Sequence, residues 1–214
     1  MRKIKISLLL LLVMASCGKR LDNSMFIPDY EYNRHEAPQD EKGSDIDDNL
    51  QPDKIDPNHI KVISFNVRVN LASDGENAWD KRRTAAANLL YKENPVVFGV
   101  QEALQAQLVY LRQQLPSYKD IGVGREDGRN GGEHMSIFYN TKRVELEKWG
   151  TFWLSGTPDV PSKGWDEEYY RSVTWAFFRD LANGTRFMYV NTHGPLKNTA
   201  NAQAMTLLAS KMSE

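Results

Sequence analysis

Apolar and polar residues alternate through Ile60-Lys61-Val62-Ile63-Ser64-Phe65-Asn66-Val67, and β-branched side chains are frequent, so this stretch predicts a strand. From Trp79 to Lys92 the spacing changes. Ala85, Leu89 and Lys92 share one side and Ala86 and Leu90 a neighbouring one, which predicts a helix ended by Asn94-Pro95. Val96-Val97-Phe98-Gly99-Val100 is apolar without a break, the pattern of a strand buried on both faces. Leu104, Leu108, Leu111 and Leu115 recur at helical spacing, and Pro116 closes that helix. Further strands are predicted at Tyr118–Val123, Met135–Tyr139 and Val144–Leu154, the last two joined at Asn140-Thr141-Lys142. Ser172–Arg179 and Arg186–Asn191 read as a hairpin across Ala182-Asn183-Gly184-Thr185, and a last helix starts near Thr199. The order β-α-β-α-β, then a run of strands, then a helix, puts the chain in the α/β class, with no internal repeat.

Upstream of His59 the pattern fails. Arg2, Lys3 and Lys5 precede an apolar run from Ile6 to Ala15 that is too short to span a bilayer, which takes about 20 residues. Residues 1–17 therefore read as a signal peptide. The run ends in Met14-Ala15-Ser16-Cys17, and small residues before a cysteine resemble the bacterial lipobox, where the cysteine is lipidated. An ordinary secretory signal with a chance cysteine is the plainer reading. The lipobox reading predicts a membrane anchor through Cys17 and a place in the bacterial cell envelope, at the periplasmic or outer-membrane face. Residues 18–58 hold eleven Asp and Glu against five Lys and Arg, with Pro28, Pro38, Pro52 and Pro57. No apolar period runs through them, so they predict a solvated, disordered acidic tether. The ligand order, central Gly and terminal Glu of a calcium loop are absent there. The globular domain is expected over residues 59–214.

Composition narrows the function classes. The 214 residues are 41% hydrophobic and 26% charged, enough to build a core. The formal net charge is −1, and residues 59–214 alone carry nineteen Lys and Arg against seventeen Asp and Glu, so no basic nucleic-acid coat is built in. One cysteine excludes a disulfide framework and a Cys-rich zinc site.

Several predicted strands end in polar residues, and ligands of open α/β sheets bind at such ends. Asn66 offers an amide suited to a phosphate oxygen or a metal-bound water, or simply caps a loop. Glu102 follows the buried strand. A carboxylate there is costly unless it is paired or metal-bound, and Mg²⁺ takes one or two carboxylates plus waters; otherwise Glu102 serves the N-terminus of the next helix. His193 follows Asn191-Thr192 and precedes Gly194-Pro195, a position for proton transfer or for a structural hydrogen bond. Gly122-Val123-Gly124-Arg125-Glu126-Asp127-Gly128 lacks dinucleotide-binding spacing and reads as a loop beside the site. Gly150 to Pro158 and Gly164-Trp165-Asp166 are aromatic and turn-rich, and serve either as packing or as a stacking platform for a sugar or base.

Taken together, Ser64-Phe65-Asn66-Val67-Arg68, Gly99-Val100-Gln101-Glu102-Ala103, Gly122-Val123-Gly124-Arg125, Gly150-Thr151-Phe152-Trp153-Leu154-Ser155 and Asn191-Thr192-His193 resemble motifs of the endonuclease/exonuclease/phosphatase superfamily. Asp74-Gly75-Glu76-Asn77-Ala78-Trp79 and Gly164-Trp165-Asp166 resemble its bacterial, often lipid-anchored branch. The resemblance implies a four-layer α/β sandwich, two mixed sheets flanked by helices. It implies that Asn66 orients phosphate and metal-bound water, that Glu102 with Asn66 binds Mg²⁺ or Mn²⁺, and that His193 hydrogen-bonds phosphate and assists proton transfer. Arg171 resembles a phosphate-contacting arginine of the deoxyribonuclease branch. The implied reaction is hydrolysis of a phosphodiester or phosphomonoester, with nucleic acid, phospholipid head group and sugar phosphate all compatible. No stable protein partner is expected. Gly194-Pro195-Leu196 stands where many relatives continue with Leu-Asp-His, and the family's later Gly-Asp-Phe-Asn-type and Asp-His motifs are absent from the 214 residues. The expectation is thus a partial sandwich, lacking the C-terminal strands and weakly active or inactive by itself. The competing reading is a non-catalytic, lipid-anchored module that binds a phosphate-bearing or sugar ligand.

Overall fold

The structure, a computed structural model, describes residues 42–213. The signal peptide, Cys17 and the tether up to residue 41 lie outside the described residues. Two sheets face each other. The first contains β1 (Val62–Asn66), β2 (Val97–Gln101), β3 (Tyr118–Ile121) and β4 (Ile137–Asn140) in the order β1-β2-β4-β3. β1 runs parallel to β2, and the other pairs are antiparallel. The second contains β5 (Val144–Trp153), β6 (Ser172–Asp180) and β7 (Arg186–Thr192) in sequential order. Among the described residues this second sheet is antiparallel throughout, not mixed. β6 and β7 are joined by a short turn, and only antiparallel strands accept so short a connection. Three helices complete the domain: α1 (Trp79–Glu93), α2 (Gln105–Gln114) and α3 (Asn198–Lys211).

Three apolar clusters separate four layers, and period-two alternation along the strands sorts the residues between them. Phe98 and Val100 of β2 pack with Ala86, Ala87 and Leu90 of α1 and Leu108 and Leu111 of α2. Val97 points the other way, into a cluster between the sheets with Ile137, Tyr139, Ala176, Phe178, Phe187 and Tyr189. On the far side of the second sheet, Val173, Trp175 and Met188 meet Ala204, Leu208 and Met212. The two-sided burial expected for β2 holds for all five of its residues. Of the two neighbouring sides of α1, the one with Ala86 and Leu90 is buried together with Ala87, and Ala85 and Leu89 are exposed. Asn94 ends α1 in the left-handed conformation, with φ at 43°, and its backbone N–H reaches the Leu90 carbonyl.

Residues 42–58 differ from the solvated tether that their composition predicts. They lie as a strap across the helical layer. Ile46 is buried in the first cluster, with Leu50 packed beside it. The backbone is held at Gly43 N–H to Gln114 O (3.1 Å) and Asp53 N–H to Lys92 O (2.8 Å), and Tyr110 Oη donates to Asp45 at 3.0 Å. Ile46 and Leu50 reach the helical cluster and Ile55 the cluster between the sheets, so the three show no single period.

A buried polar contact joins the two sheets. The Asn191 Nδ2 of β7 donates to Val100 O (2.8 Å) and Ser136 O (2.9 Å), and its Oδ1 accepts from Gln101 Nε2 at 2.6 Å. The amide fits because position 99 has no side chain: a Cβ there would stand 2.6 Å from Asn191 Cγ.

Two measurements test this packing. Ile46→Ala should lower the unfolding free energy by about 2 kcal/mol or more in urea titrations, as for a core isoleucine, where a solvated tether would show no change. Gly99→Ala should cost about 1–3 kcal/mol by the same assay, because it expels the Asn191 amide from its seat.

Candidate active site

Parallel pairing sets Asn66, the last residue of β1, against Gln101, the last of β2, so Glu102 begins the turn beside it. Asn66 Nδ2 donates to Glu102 Oε1 at 2.8 Å, while Asn66 Oδ1 accepts the Arg68 backbone N–H at 2.8 Å. The second carboxylate oxygen accepts the Val69 N–H at 3.0 Å. Both turns bend sharply, with φ at 57° for Arg68 and 61° for Glu102, a region that side chains avoid and that functional sites tolerate. Arg82 of α1 holds the first turn in place. Its guanidinium donates to the carbonyls of Val67, of Arg68 (2.8 Å) and of Asn77 (2.8 Å), and Gln107 Nε2 adds a second bond to Arg68 O at 2.9 Å. Burial pushes the Glu102 carboxyl up, but the bonds from Asn66 and Val69 and the nearby His193 and Arg68 outweigh it and hold the group below the ordinary carboxylate range. Glu102 is therefore an ionised, half-buried carboxylate.

His193 comes from the other sheet, two residues beyond Asn191. The contact of Asn191 with Gln101 delivers it to the neighbourhood of Glu102, which it senses electrostatically. Arg171, the residue before β6, places Nη1 3.4 Å from His193 Nδ1. An arginine only donates, so this contact requires Nδ1 to accept, which leaves the imidazole neutral with its proton on Nε2. Burial and then the Arg171 guanidinium push His193 below its usual value, in agreement with that state. Glu167 lies under Arg171 at 3.5 Å and uses its other oxygen to accept the Leu196 N–H at 2.9 Å, tying the loop before β6 to the loop after His193.

Of the residues read from the sequence as site candidates, Asn66 and Glu102 are in direct contact, Arg171 lies against His193, and His193 and Glu102 are close enough to act on each other electrostatically. The sequence reading did not assign roles to Arg125, Glu133, Glu167 or Tyr169. The segment read as a glycine-rich loop is a hydrogen-bonded turn, closed by Gly124 N–H to Arg129 O (2.8 Å) and Gly128 N–H to Gly124 O (2.9 Å). It carries Arg125, whose guanidinium pairs with Glu133 at 2.8 and 3.0 Å. The Arg125 carbonyl accepts Trp153 Nε1–H at 2.6 Å. The aromatic segment divides: Trp153 is fully buried, and Trp165 is exposed. The only local sign of these residues was a charged side chain beside a glycine or an aromatic, a pattern that solvated loops share.

The donor set can be matched to metals. Among the described residues no group of three or more His, Cys, Asp or Glu could hold an ion. That excludes a tetrahedral zinc site there. One ionised carboxylate, with an amide beside it whose nitrogen faces Glu102 and whose oxygen faces the Arg68 N–H, fits Mg²⁺ or Mn²⁺, which keep waters and substrate oxygens as their remaining ligands. Glu102 would be the principal ligand. Asn66 Oδ1 already accepts the Arg68 N–H and has one lone pair to add.

No family model matches the chain. Solved structures do. It is 37% identical to the mannosyl-6-phosphatase Bt3783 of Bacteroides thetaiotaomicron, with a TM-score of 0.70 over 72% of this chain and 59% of that one. An endonuclease/exonuclease/phosphatase protein from Bacteroides vulgatus is also 37% identical, with a TM-score of 0.69 over 71% of this chain and 59% of that one. An uncharacterized protein, L388, of Acanthamoeba polyphaga mimivirus is 27% identical over 143 residues, 63% of this chain and 53% of its own length. The chain therefore spans between half and three fifths of the length of these relatives. With two facing sheets between helical layers and Asn66, Glu102 and His193 gathered at their ends, the described domain has the fold of the endonuclease/exonuclease/phosphatase proteins.

Proposed function

We propose that this domain hydrolyses phosphate esters, and that its substrate is a phosphorylated sugar. The observation that carries the reading is the meeting of an ionised carboxylate, Glu102, with a neutral imidazole, His193, from two sheets, beside the Arg171 guanidinium. Two groups whose surroundings set different charge states are the arrangement that phosphoryl chemistry uses. The sugar phosphate is favoured by the neighbour named a mannosyl-6-phosphatase at 37% identity. The near balance of charge in the domain also disfavours long polyanions.

A Mg²⁺ or Mn²⁺ ion at Glu102 would neutralise charge on the phosphoryl oxygens. The protein's own groups do the rest. Asn66 and the Val69 N–H hold the carboxylate in one orientation. His193 offers Nε2–H to a non-bridging phosphate oxygen. Arg171 keeps that imidazole neutral and adds a charged donor. Water attacks phosphorus, the bond from phosphorus to the ester oxygen breaks, and the proton that the water loses ends on the leaving oxygen, giving a free alcohol and inorganic phosphate.

We also propose that the protein is a lipid-anchored envelope protein, on the strength of Cys17 in its lipobox-like setting. No helix among the described residues is long and apolar enough to cross a membrane. Cys17→Ser should move the full chain from the membrane fraction to the soluble one; a variant that stays with the membrane overturns the anchor.

The catalytic reading is tested with mannose 6-phosphate as substrate. EDTA should abolish turnover, added Mg²⁺ or Mn²⁺ should restore it, and Glu102→Gln should lower kcat/KM about 100-fold or more. The acid limb of the kcat/KM profile should lie below the ordinary histidine value of about 6.5, because protonating His193 breaks its contact with Arg171. Arg171→Gln should move that limb upward. Metal-independent binding of the ester without turnover would replace hydrolysis with recognition alone.

A further inference from the structure

Arg125 and Arg171 reach the site from different elements, and both are more than nine-tenths buried, at 6% and 3% exposure. Burying a guanidinium is costly unless its five N–H donors are used. Here they are not. The Nε of each is buried without a hydrogen-bond partner. The contacts of Arg171 are long, 3.4 Å to His193 and 3.5 Å to Glu167. The same chain shows what a structural pair looks like: Arg112 grips Asp120 with two bonds of 2.7 and 2.8 Å. Arg171 is held far more loosely than that, whereas Arg125 is gripped by Glu133 at 2.8 and 3.0 Å and keeps only its Nε unpartnered. The two guanidiniums share one support, the Tyr169 ring, with centroid distances of 5.8 Å for Arg125 and 5.6 Å for Arg171. A half-exposed tyrosine that gathers two buried cations positions them and contributes an attraction to each. Arg125 also acts electrostatically on His193, as Arg171 does.

We infer that Arg125 is a specificity-determining residue: with Arg171, and backed by Tyr169, it forms a paired guanidinium subsite that reads the substrate phosphate as a dianion and so selects monoesters over diesters. This deepens the hydrolase reading and rests on it for the location of the phosphate. A monoester presents three terminal oxygens and close to two negative charges at neutral pH. A diester presents two oxygens and one charge. Beside the His193 donor, the Arg171 fork and the N–H groups of Arg125 not taken by Glu133 supply more donors than a diester can accept, and the unused ones would stay buried and unpaired. Glu133 and Glu167 orient the forks from behind. Burial pushes the Glu133 carboxyl up, and the Arg125 guanidinium opposes that shift.

The full chain is titrated with inorganic phosphate at pH 8 and with dimethyl phosphate, by calorimetry or NMR, as wild type, Arg125→Lys and Arg125→Gln. Lysine keeps the charge and loses the fork. Wild type should prefer phosphate by about tenfold or more. Both variants should lose about tenfold in phosphate affinity while dimethyl phosphate moves less than about threefold. If Arg125→Gln does not fold, Arg125→Lys carries the test, with its thermal transition as the control. Equal losses for both ligands, no loss for either, or no phosphate binding by wild type would overturn the subsite. The two readings fail separately. Arg125-dependent phosphate binding without turnover of any ester sinks hydrolysis and leaves the subsite standing. Turnover with an unchanged monoester-to-diester ratio in Arg125→Lys does the reverse.

Discussion

A single buried carboxamide sets the geometry on which the site depends. Asn191 sits in the middle of a β-sandwich, where an unpaired amide would be expensive, and all of its observed bonds run to the opposite sheet: Val100 O, Ser136 O and Gln101 Nε2. Apolar contacts between sheets are non-directional and tolerate sliding. An amide that must satisfy both its oxygen and its nitrogen does not. The sheets are therefore locked in one relative position, and Gly99 makes that position possible by leaving room for the amide. One residue beyond Gln101 is Glu102, and two beyond Asn191 is His193. The polar lock and the site are consecutive stretches of the same strands.

The charge states at the site follow from that placement. Glu102 and His193 are both displaced below their ordinary values, for opposite reasons. Hydrogen bonds to its anion overcome the effect of burial on Glu102, whereas burial itself and a nearby guanidinium act on His193. The result is an anion beside a neutral ring, each defined by its partners. The left-handed backbone at Arg68 and Glu102 has a cost, and Arg82 offsets it by binding three carbonyls around the first turn. Helix α1 thereby acts on the site without touching its reacting groups.

Much of the fold was legible because its signals are local. The continuous apolar run at β2, the leucine spacing of α2 and the turn at Asn183-Gly184 each occupy a few adjacent residues and answer to backbone physics at that point. The errors arose where the deciding contact was remote. Residues 42–58 look solvated by composition, yet Ile46 finds a pocket among Trp79, Leu111 and their neighbours. The sequence left the buried face of α1 open because alanines and leucines stand on two of its sides, and only the sheet beneath it decides which are covered.

By itself, the order of residues determined the α/β class, the ends of most elements, and the three polar residues placed at strand termini, because propensity, periodicity and strand punctuation act within a few positions. It could not determine that Asn66 presents its nitrogen to Glu102, that His193 must be neutral, or that Arg125 and Arg171 share the ring of Tyr169. Those facts arise from groups far apart in the chain meeting in a medium of low polarity, where one hydrogen bond or one neighbouring charge settles the state of a side chain. Only the folded arrangement supplies that neighbourhood.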